Sequence, residues 1–285
     1  MSPHEVWRWW DLEPVVLSGL VAAGLVYGLG VRRLWRRRAV GRGVRRWQAA
    51  AFAVGLLAVF VALVSPVAAM SGVLLSAHMG QHFILLMVAA PLLVLGAPGI
   101  VLSVALPPTW RQSLHRLGRR RWARVIGRAT TNPAVAWLLA GVTLWTWHLP
   151  RLYQVALRSE PIHVLEHATF LGTALLFWWT ALQPSGRRRL ARGADVLYVF
   201  TGAFQGMALG ALLAFASTPL YPFYVGRARG WGLTPLQDQQ LAGVIMWIPS
   251  GVIYLVLACV LFVRWMTAME REVRRDERHL IPLRR

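Results

Sequence analysis

Apolar positions along this chain do not alternate as in strands; they collect into long runs separated by arginine clusters or Pro-rich turns. Seven runs approach or exceed the about 20 residues that a helix needs to cross a bilayer: 14–31, 47–70, 78–106, 133–148, 162–182, 194–216 and 241–263. The pattern predicts an all-α integral membrane protein with seven transmembrane helices, forming a single domain over residues 1–285. Pro91 and Pro98 each remove a helix hydrogen bond within the third run and predict kinks there. Asn132-Pro133 opens the fourth run as cap and first-turn proline. In the link 107–131, Trp110, Leu114, Leu117, Trp122, Val125 and Ile126 are interleaved with arginines, which predicts a helix lying on the membrane surface.

Charge sets the expected orientation. Every cationic residue is Arg, 31 in all. Assigning loops alternately to two sides puts eight arginines of the first connection, seven of the third, four of the fifth and seven of the tail together, 26 of 31. By the positive-inside rule this side is cytoplasmic, the N-terminus lies outside and the number of spans is odd. Residues 1–13 then form an outer interfacial segment and residues 264–285 a cytoplasmic basic tail. The opening residues, with Trp7, Trp9 and Trp10, resemble an interfacial anchor rather than a basic segment followed by an apolar one, so no cleaved signal peptide is expected. A net charge of +20 can indicate nucleic acid, but here the basic residues stay in juxtamembrane loops. Anionic lipid at the cytoplasmic face is the expected partner, and nucleic acid is not.

Composition agrees with lipid as the solvent: 56% of residues are apolar, 15% are charged and 15 are Trp. The one cysteine, Cys259, falls inside the last run, so neither a disulfide framework nor a Cys-x-x-Cys motif is present. Any metal must be held without thiolate.

Two histidine pairs, His78 with His82 and His163 with His167, are spaced four apart, which on a helix puts both rings on one face. The expected topology brings both pairs to the outer ends of their spans, and His148 closes the fourth span at the same level. The remaining histidines, His4, His115 and His279, fall in tails or the inner link. A lone His pair on an apolar helix is more often a packing feature; five histidines converging at one depth point to function, because ionisable groups at membrane depth face the bundle interior. Glu166 and Asp238 add carboxylates, as ligands or as acceptors for the second ring nitrogen of a ligating histidine, with Arg158 or Arg227 as alternative partners for them. Imidazole suits copper, zinc, iron and nickel, whereas a thioether such as Met79 selects Cu(I). Met70, Met207 and Met246 lie in the outer half or midplane as well. The expected metal site is therefore His78, His82, His148, His163, His167, Glu166, Asp238 and Met79, with copper favoured.

Two other chemistries fit the same residues. His163-x-x-Glu166-His167 matches the His-x-x-Glu-His pattern of inverted zinc peptidases, in which two histidines hold zinc and the glutamate activates water. Alternatively, histidines facing one another across helices can ligate haem iron from both sides. The loop 217–237, with Tyr221, Pro222, Phe223, Tyr224 and Trp231, fits a cover over an outer cavity as well as interfacial anchoring.

Several stretches carry a family resemblance: His78-Met79-Gly80-Gln81-His82 followed by Ala90-Pro91-Leu92-Leu93; Trp147-His148-Leu149-Pro150-Arg151-Leu152-Tyr153; His163-Val164-Leu165-Glu166-His167; Leu220-Tyr221-Pro222-Phe223-Tyr224; and Asp238-Gln239-Gln240-Leu241-Ala242-Gly243 with Met246-Trp247. In this order they resemble the multi-span CtaG family of bacterial cytochrome c oxidase assembly factors, which is distinct from the single-span copper chaperone of the same name. The resemblance runs from the second span to the end of the seventh. It implies a multi-pass plasma-membrane protein that matures a haem–copper oxidase, meets oxidase subunits and handles copper, as an assembly factor or metal chaperone rather than an enzyme. The positions it carries over are His78, His82, His148, His163, Glu166, His167 and Asp238.

The expected topology is open to a direct test. A cysteine placed within residues 71–77 or at Gly230 should react with a membrane-impermeant thiol reagent in intact cells, and one at Gly41 should not. Labelling at Gly41 would reverse the orientation.

Overall fold

The computed structural model describes residues 5–182 and 193–280, and no strand occurs among them. A 3₁₀ turn, Val6–Arg8, precedes α1 (Pro14–Arg38), α2 (Arg46–Leu63) and α3 (Pro66–Ser71). Next, α4 (Leu75–Phe83) runs through a π-helical stretch, Ile84–Ala89, into α5 (Ala90–Leu95). Then follow α6 (Pro98–Ala105), α7 (Pro108–Arg119), α8 (Arg121–Thr130), α9 (Pro133–Trp147), α10 (Pro150–Arg158), α11 (Glu160–Leu182) and α12 (Ala194–Ala214). Short 3₁₀ turns at Pro222–Tyr224 and Ala228–Trp231 lead to α13 (Pro235–Leu280). The fifth basic connection, with Arg187, Arg188, Arg189 and Arg192, lies outside the described residues.

Among the described residues, five helices are long and apolar enough to cross a membrane: Pro14–Arg37, Arg46–Leu63, Leu75–Leu95, Ala194–Ala214 and Pro235–Arg275. The fourth run forms only the 15 residues of α9, about 22 Å at 1.5 Å per residue against a hydrocarbon core of about 30 Å. The fifth run forms α11, 23 residues long, with His163, Glu166 and His167 among its apolar residues. The third run is shorter than its hydropathy predicts. It stops at Leu95, because Ala97 takes a left-handed conformation (φ 51°) and Pro98 starts a separate helix with its own first turn. The close approach of neighbours fixes that break. Tyr27 Oη donates to Gly96 O at 2.7 Å, and a Cβ on Gly96 would lie 2.6 Å from Phe52 Cβ. Short α6 then packs on α1, where a Cβ on Gly30 would meet Val101 O at 2.6 Å.

Pro91 acts differently from a simple kink. Ala90 N–H bonds to Leu85 O, a π-type step, so the next carbonyl, Leu86 O, would need the N–H that Pro91 lacks. Trp178 of α11 fills the gap, its indole Nε1–H donating to Leu86 O at 2.7 Å. The proline thus joins two helices instead of merely bending one.

The link 107–131 forms two surface helices joined at Arg120, and Trp110, Leu114, Leu117, Trp122, Val125 and Ile126 are all exposed on them. Three apolar clusters organise the rest. One joins α1, α2, α5, α6 and the π stretch through Tyr27, Phe52, Val59 and Leu93. A second joins α5, α11, α12 and α13 through Phe177, Trp178, Tyr198 and Tyr254. The third, of Leu75, Met79, Tyr153, Leu213, Tyr221, Tyr224 and Met246, closes the end of the bundle where α4, α10, α12 and α13 meet the loop 217–234. Small residues set the crossing of α12 on α13. A Cβ on Gly243 would lie 2.5 Å from both Gly210 O and Ala214 N, a spacing that lets backbones approach in lipid, where packing rather than hydrophobicity drives association.

Gly243→Ala should therefore destabilise the protein by about 1–3 kcal/mol, read as a lowered Tm in detergent. Gly206→Ala, one turn away on α12 with no atom within 4 Å of the added Cβ, should leave Tm unchanged or slightly raised.

Candidate metal centre

Five histidines, one glutamate and one methionine meet at the end of the bundle closed by the third apolar cluster. His78 and His82 project from one face of α4, and His163, Glu166 and His167 from one face of α11. His148 is the C-terminal cap of α9, held where Leu149 and Pro150 turn the chain into α10. Ring centroids are 4.5 Å apart for His78 and His82, 4.3 Å for His163 and His167, 5.5 Å for His78 and His163, 5.4 Å for His82 and His167, and 5.8 Å for His82 and His148. His78, Met79 and Glu166 are fully enclosed, His82, His148 and His167 are buried, and His163 at the start of α11 is half-buried.

Hydrogen bonding shows which nitrogens are spoken for. His148 Nδ1 lies 2.7 Å from Leu144 O. A carbonyl only accepts, so Nδ1 carries the proton and Nε2 keeps its lone pair. That lone pair faces Met79 Sδ at 3.4 Å. His78 and His82 approach Nε2 to Nε2 at 3.0 Å, and Glu166 Oε1 lies 3.9 and 3.6 Å from the same two nitrogens. Tyr224 Oη donates to Ser71 O at 2.9 Å, which leaves its oxygen to accept from His78 Nδ1 at 3.4 Å. Tyr153 packs against His78 with its hydroxyl 3.3 Å from that of Tyr224, and Tyr221 Oη donates to His148 O at 2.8 Å. The loop 217–234 thus covers the cluster through its tyrosines, and Arg227 clasps it by donating to Gly72 O at 3.1 Å while stacking 3.9 Å above the Phe223 ring.

Several polar atoms in this pocket have no hydrogen-bond partner in the protein: His82 Nδ1, His163 Nε2, His167 Nε2 and both oxygens of Glu166. Leaving one such group buried and unpaired costs about 1–3 kcal/mol, so their concentration in one place favours a cation as their partner. The donors also group by distance. Donor atoms from His78, His163 and His167 all lie within 4.8 Å of one another, as do those from His78, His82 and Glu166.

Asp238, expected among the ligands, does not join them. Its Oδ2 accepts from Leu75 N at 2.7 Å, and its Oδ1 accepts from Ser76 N at 3.1 Å and Ser76 Oγ at 2.6 Å. The carboxylate of α13 is used up capping α4, where the helix dipole and the free N–H groups favour an anion. Arg227, offered as a carboxylate partner, is engaged elsewhere as described, and Met246 and Met207 pack in the apolar clusters. Residue type and spacing did not mark Tyr153 and Gln239. Tyr153 caps His78, and Gln239 holds the loop by accepting from Leu220 N at 2.6 Å. The only sequence signal for either is its place in a motif that already holds a candidate ligand.

A multi-pass helical bundle with a buried imidazole, carboxylate and thioether cluster defines a polytopic membrane protein with side chains that could hold a metal ion. The chain matches the cytochrome c oxidase caa3 assembly factor family (Caa3_CtaG) over residues 25–268, and it belongs to that family. With its five long apolar helices it is a multi-pass protein of the bacterial plasma membrane. It is 27% identical over 280 residues to uncharacterized protein Mb0105 of Mycobacterium bovis and to uncharacterized protein MT0111 of Mycobacterium tuberculosis. To uncharacterized protein ML1998 of Mycobacterium leprae it is 24% identical over 283 residues. These matches cover 95% of this chain but only 41% of each relative, so the chain spans about two-fifths of their length. No solved structure matches.

Removing the cap on α4 should weaken the whole site end. Asp238→Ala leaves three donors facing a void and should cost about 3 kcal/mol, measured by thermal unfolding in detergent. Asp238→Asn, which keeps one acceptor oxygen, should cost clearly less.

Proposed function

We propose that the protein binds copper in this cluster and serves oxidase maturation by holding or passing the ion at the outer side of the membrane, in contact with cytochrome c oxidase subunits. The observation that carries the reading is the set of unpartnered atoms, one imidazole nitrogen each of His82, His163 and His167 and both oxygens of Glu166, brought together from two helices beside His78, His148 and Met79. The imidazoles alone would serve zinc equally; the thioether against the free His148 nitrogen favours copper. The role is that of an assembly factor or metal chaperone, not an enzyme.

The reading takes seven crossings, with α9 and α11 as the fourth and fifth and the N-terminus outside, so that the cluster lies in the outer leaflet. The exposed apolar residues of α7 and α8, set among arginines, suit anionic lipid at the cytoplasmic face.

Haem and peptidase readings have less support. The cavity beside His82 and His148, lined by Leu86, Phe170, Phe177, Trp178 and Tyr254, is about 80 Å³, below the roughly 150 Å³ that holds one benzene, and a porphyrin is far larger. A peptidase needs its glutamate beside a substrate cleft, whereas Glu166 is 0% exposed.

The solubilised protein, purified from copper-supplied cells, should carry copper and show no Soret band. A Soret band would select haem. Glu166→Gln should lower metal affinity and oxidase maturation partially, about 10–100-fold as is typical for groups that orient or charge a site, while His163→Ala and His167→Ala should be more severe. The readouts are metal content of the protein and oxidase activity in cells. Abolished function of Glu166→Gln with unchanged metal content and an accumulating uncleaved membrane protein would replace copper handling by proteolysis.

A further inference from the structure

Away from the histidine cluster, where α1 ends in arginines, α1 and α2 leave a gap between them. A slot of about 560 Å³ runs there from Gly24 to Arg36, about 18 Å along α1 at 1.5 Å per residue and of the size usual for ligand pockets, about 300–1,000 Å³. Its walls are small residues four apart, Gly24 and Gly28 on α1 and Ala49 and Ala53 on α2, and a Cβ on Gly28 would find no atom within 4 Å. Its floor is fixed. Tyr27 stacks on Phe52 with ring centroids 3.7 Å apart, and its hydroxyl is already donated to Gly96 O. Trp35 lines the slot beside the loop 39–45, its indole Nε1–H donated to Val44 O at 2.9 Å. The aromatic lining therefore has its polar atoms satisfied inside the protein and turns only apolar surface to the slot.

Two arginines stand at one end of this slot. Arg32 and Arg36, four apart on one face of α1, line it and are exposed, whereas Arg33 between them turns away and donates to Ala105 O of α6. No Asp or Glu occurs between Glu13 and Glu160, and among the described residues no carboxylate pairs with Arg32 or Arg36. An anion for them is then supplied from outside the protein. We propose that the slot binds one anionic glycerophospholipid, its phosphate held by Arg32 and Arg36 and an acyl chain lying between α1 and α2 over the Tyr27 and Phe52 rings. A free phosphate would satisfy the arginines but leave the slot unfilled. A zwitterionic lipid would fill the slot but bring its own cation to the arginines. Basic pockets between membrane helices recognise anionic headgroups in this way, and guanidinium matches phosphate in geometry as well as in charge. The indole of Trp35 beside the arginines is the ring type that marks the headgroup level. The site is independent of the copper reading.

The test titrates the full chain, freed of lipid in detergent, with phosphatidylglycerol or with phosphatidylcholine of the same acyl chains, read by native mass spectrometry. The first should bind as one tight equivalent, about tenfold or more tighter than the second, as two arginines at a headgroup would give. Arg32→Gln with Arg36→Gln should remove that preference. Arg37→Gln with Arg42→Gln, the same loss of charge at residues that do not line the slot, should keep it. Gly28→Leu retains every arginine but fills the slot, and it should lose the tight equivalent while holding the Tm of the unaltered protein. Equal binding of the two lipids overturns the proposal, as does a preference that survives Arg32→Gln with Arg36→Gln. A preference lost equally with Arg37 and Arg42 overturns it in favour of general charge attraction. A tight equivalent kept by Gly28→Leu overturns it as well, and this measurement decides should the Arg32 and Arg36 variant fail to fold.

Discussion

Everything at the functional end hangs on one buried carboxylate meeting one helix start. Asp238 of α13 accepts from both Leu75 N and Ser76 N, and these are among the N–H groups that a helix cannot satisfy internally. In lipid there is no water to take them, so the bond is stronger and its loss more costly than on a soluble surface. Because α4 starts there, its first turns are fixed against α13, and the directions of His78 and His82 follow. The same α13 packs along α12 at the Gly210 and Gly243 crossing. The long last helix is therefore the frame against which the shorter, histidine-bearing helices are aligned.

Around that frame, most buried polarity is shared. Tyrosines that would be awkward in an apolar bundle find acceptors in Ser71 O and His148 O, and in doing so they tie the covering loop to α3 and to the end of α9. Among the described residues the unshared atoms concentrate in the side chains that face the pocket, the others being Gln81 Oε1, Trp137 Nε1 and Trp231 Nε1. The bundle satisfies its backbone breaks with a tryptophan, a tyrosine and an aspartate, yet leaves a carboxylate and three imidazoles open.

The class of fold was legible because hydropathy in a membrane is a long, redundant signal; no single residue decides it. Helix ends were less so. The end of the third run depends on Ala97, an ordinary apolar residue whose left-handed conformation is imposed by Tyr27, Phe52 and Pro98 in space. Paired histidines were legible from the four-residue spacing, and their convergence followed once helices ran antiparallel. Asp238 shows the limit of that reasoning. Depth and chemistry made it look like a ligand, but whether a carboxylate faces a metal or a helix end depends on a neighbour more than 160 positions away in the chain.

The wide turn at Ile84–Ala89 changes more than local geometry. On a regular helix, about 100° per residue would continue the face of His78 and His82 through Ala89 and Leu93. The turn inserts roughly one residue of phase, so that face continues through Ala90 and Val94, which pack with α11 and α13, while Ala89 and Leu93 turn to α1 and α2. Hydropathy is blind to this phase. A chain one residue shorter there would keep its length for the bilayer and its apolar character, yet it would present the histidines to one partner helix and the residues below them to the other, splitting a single interface into two that cannot be satisfied together.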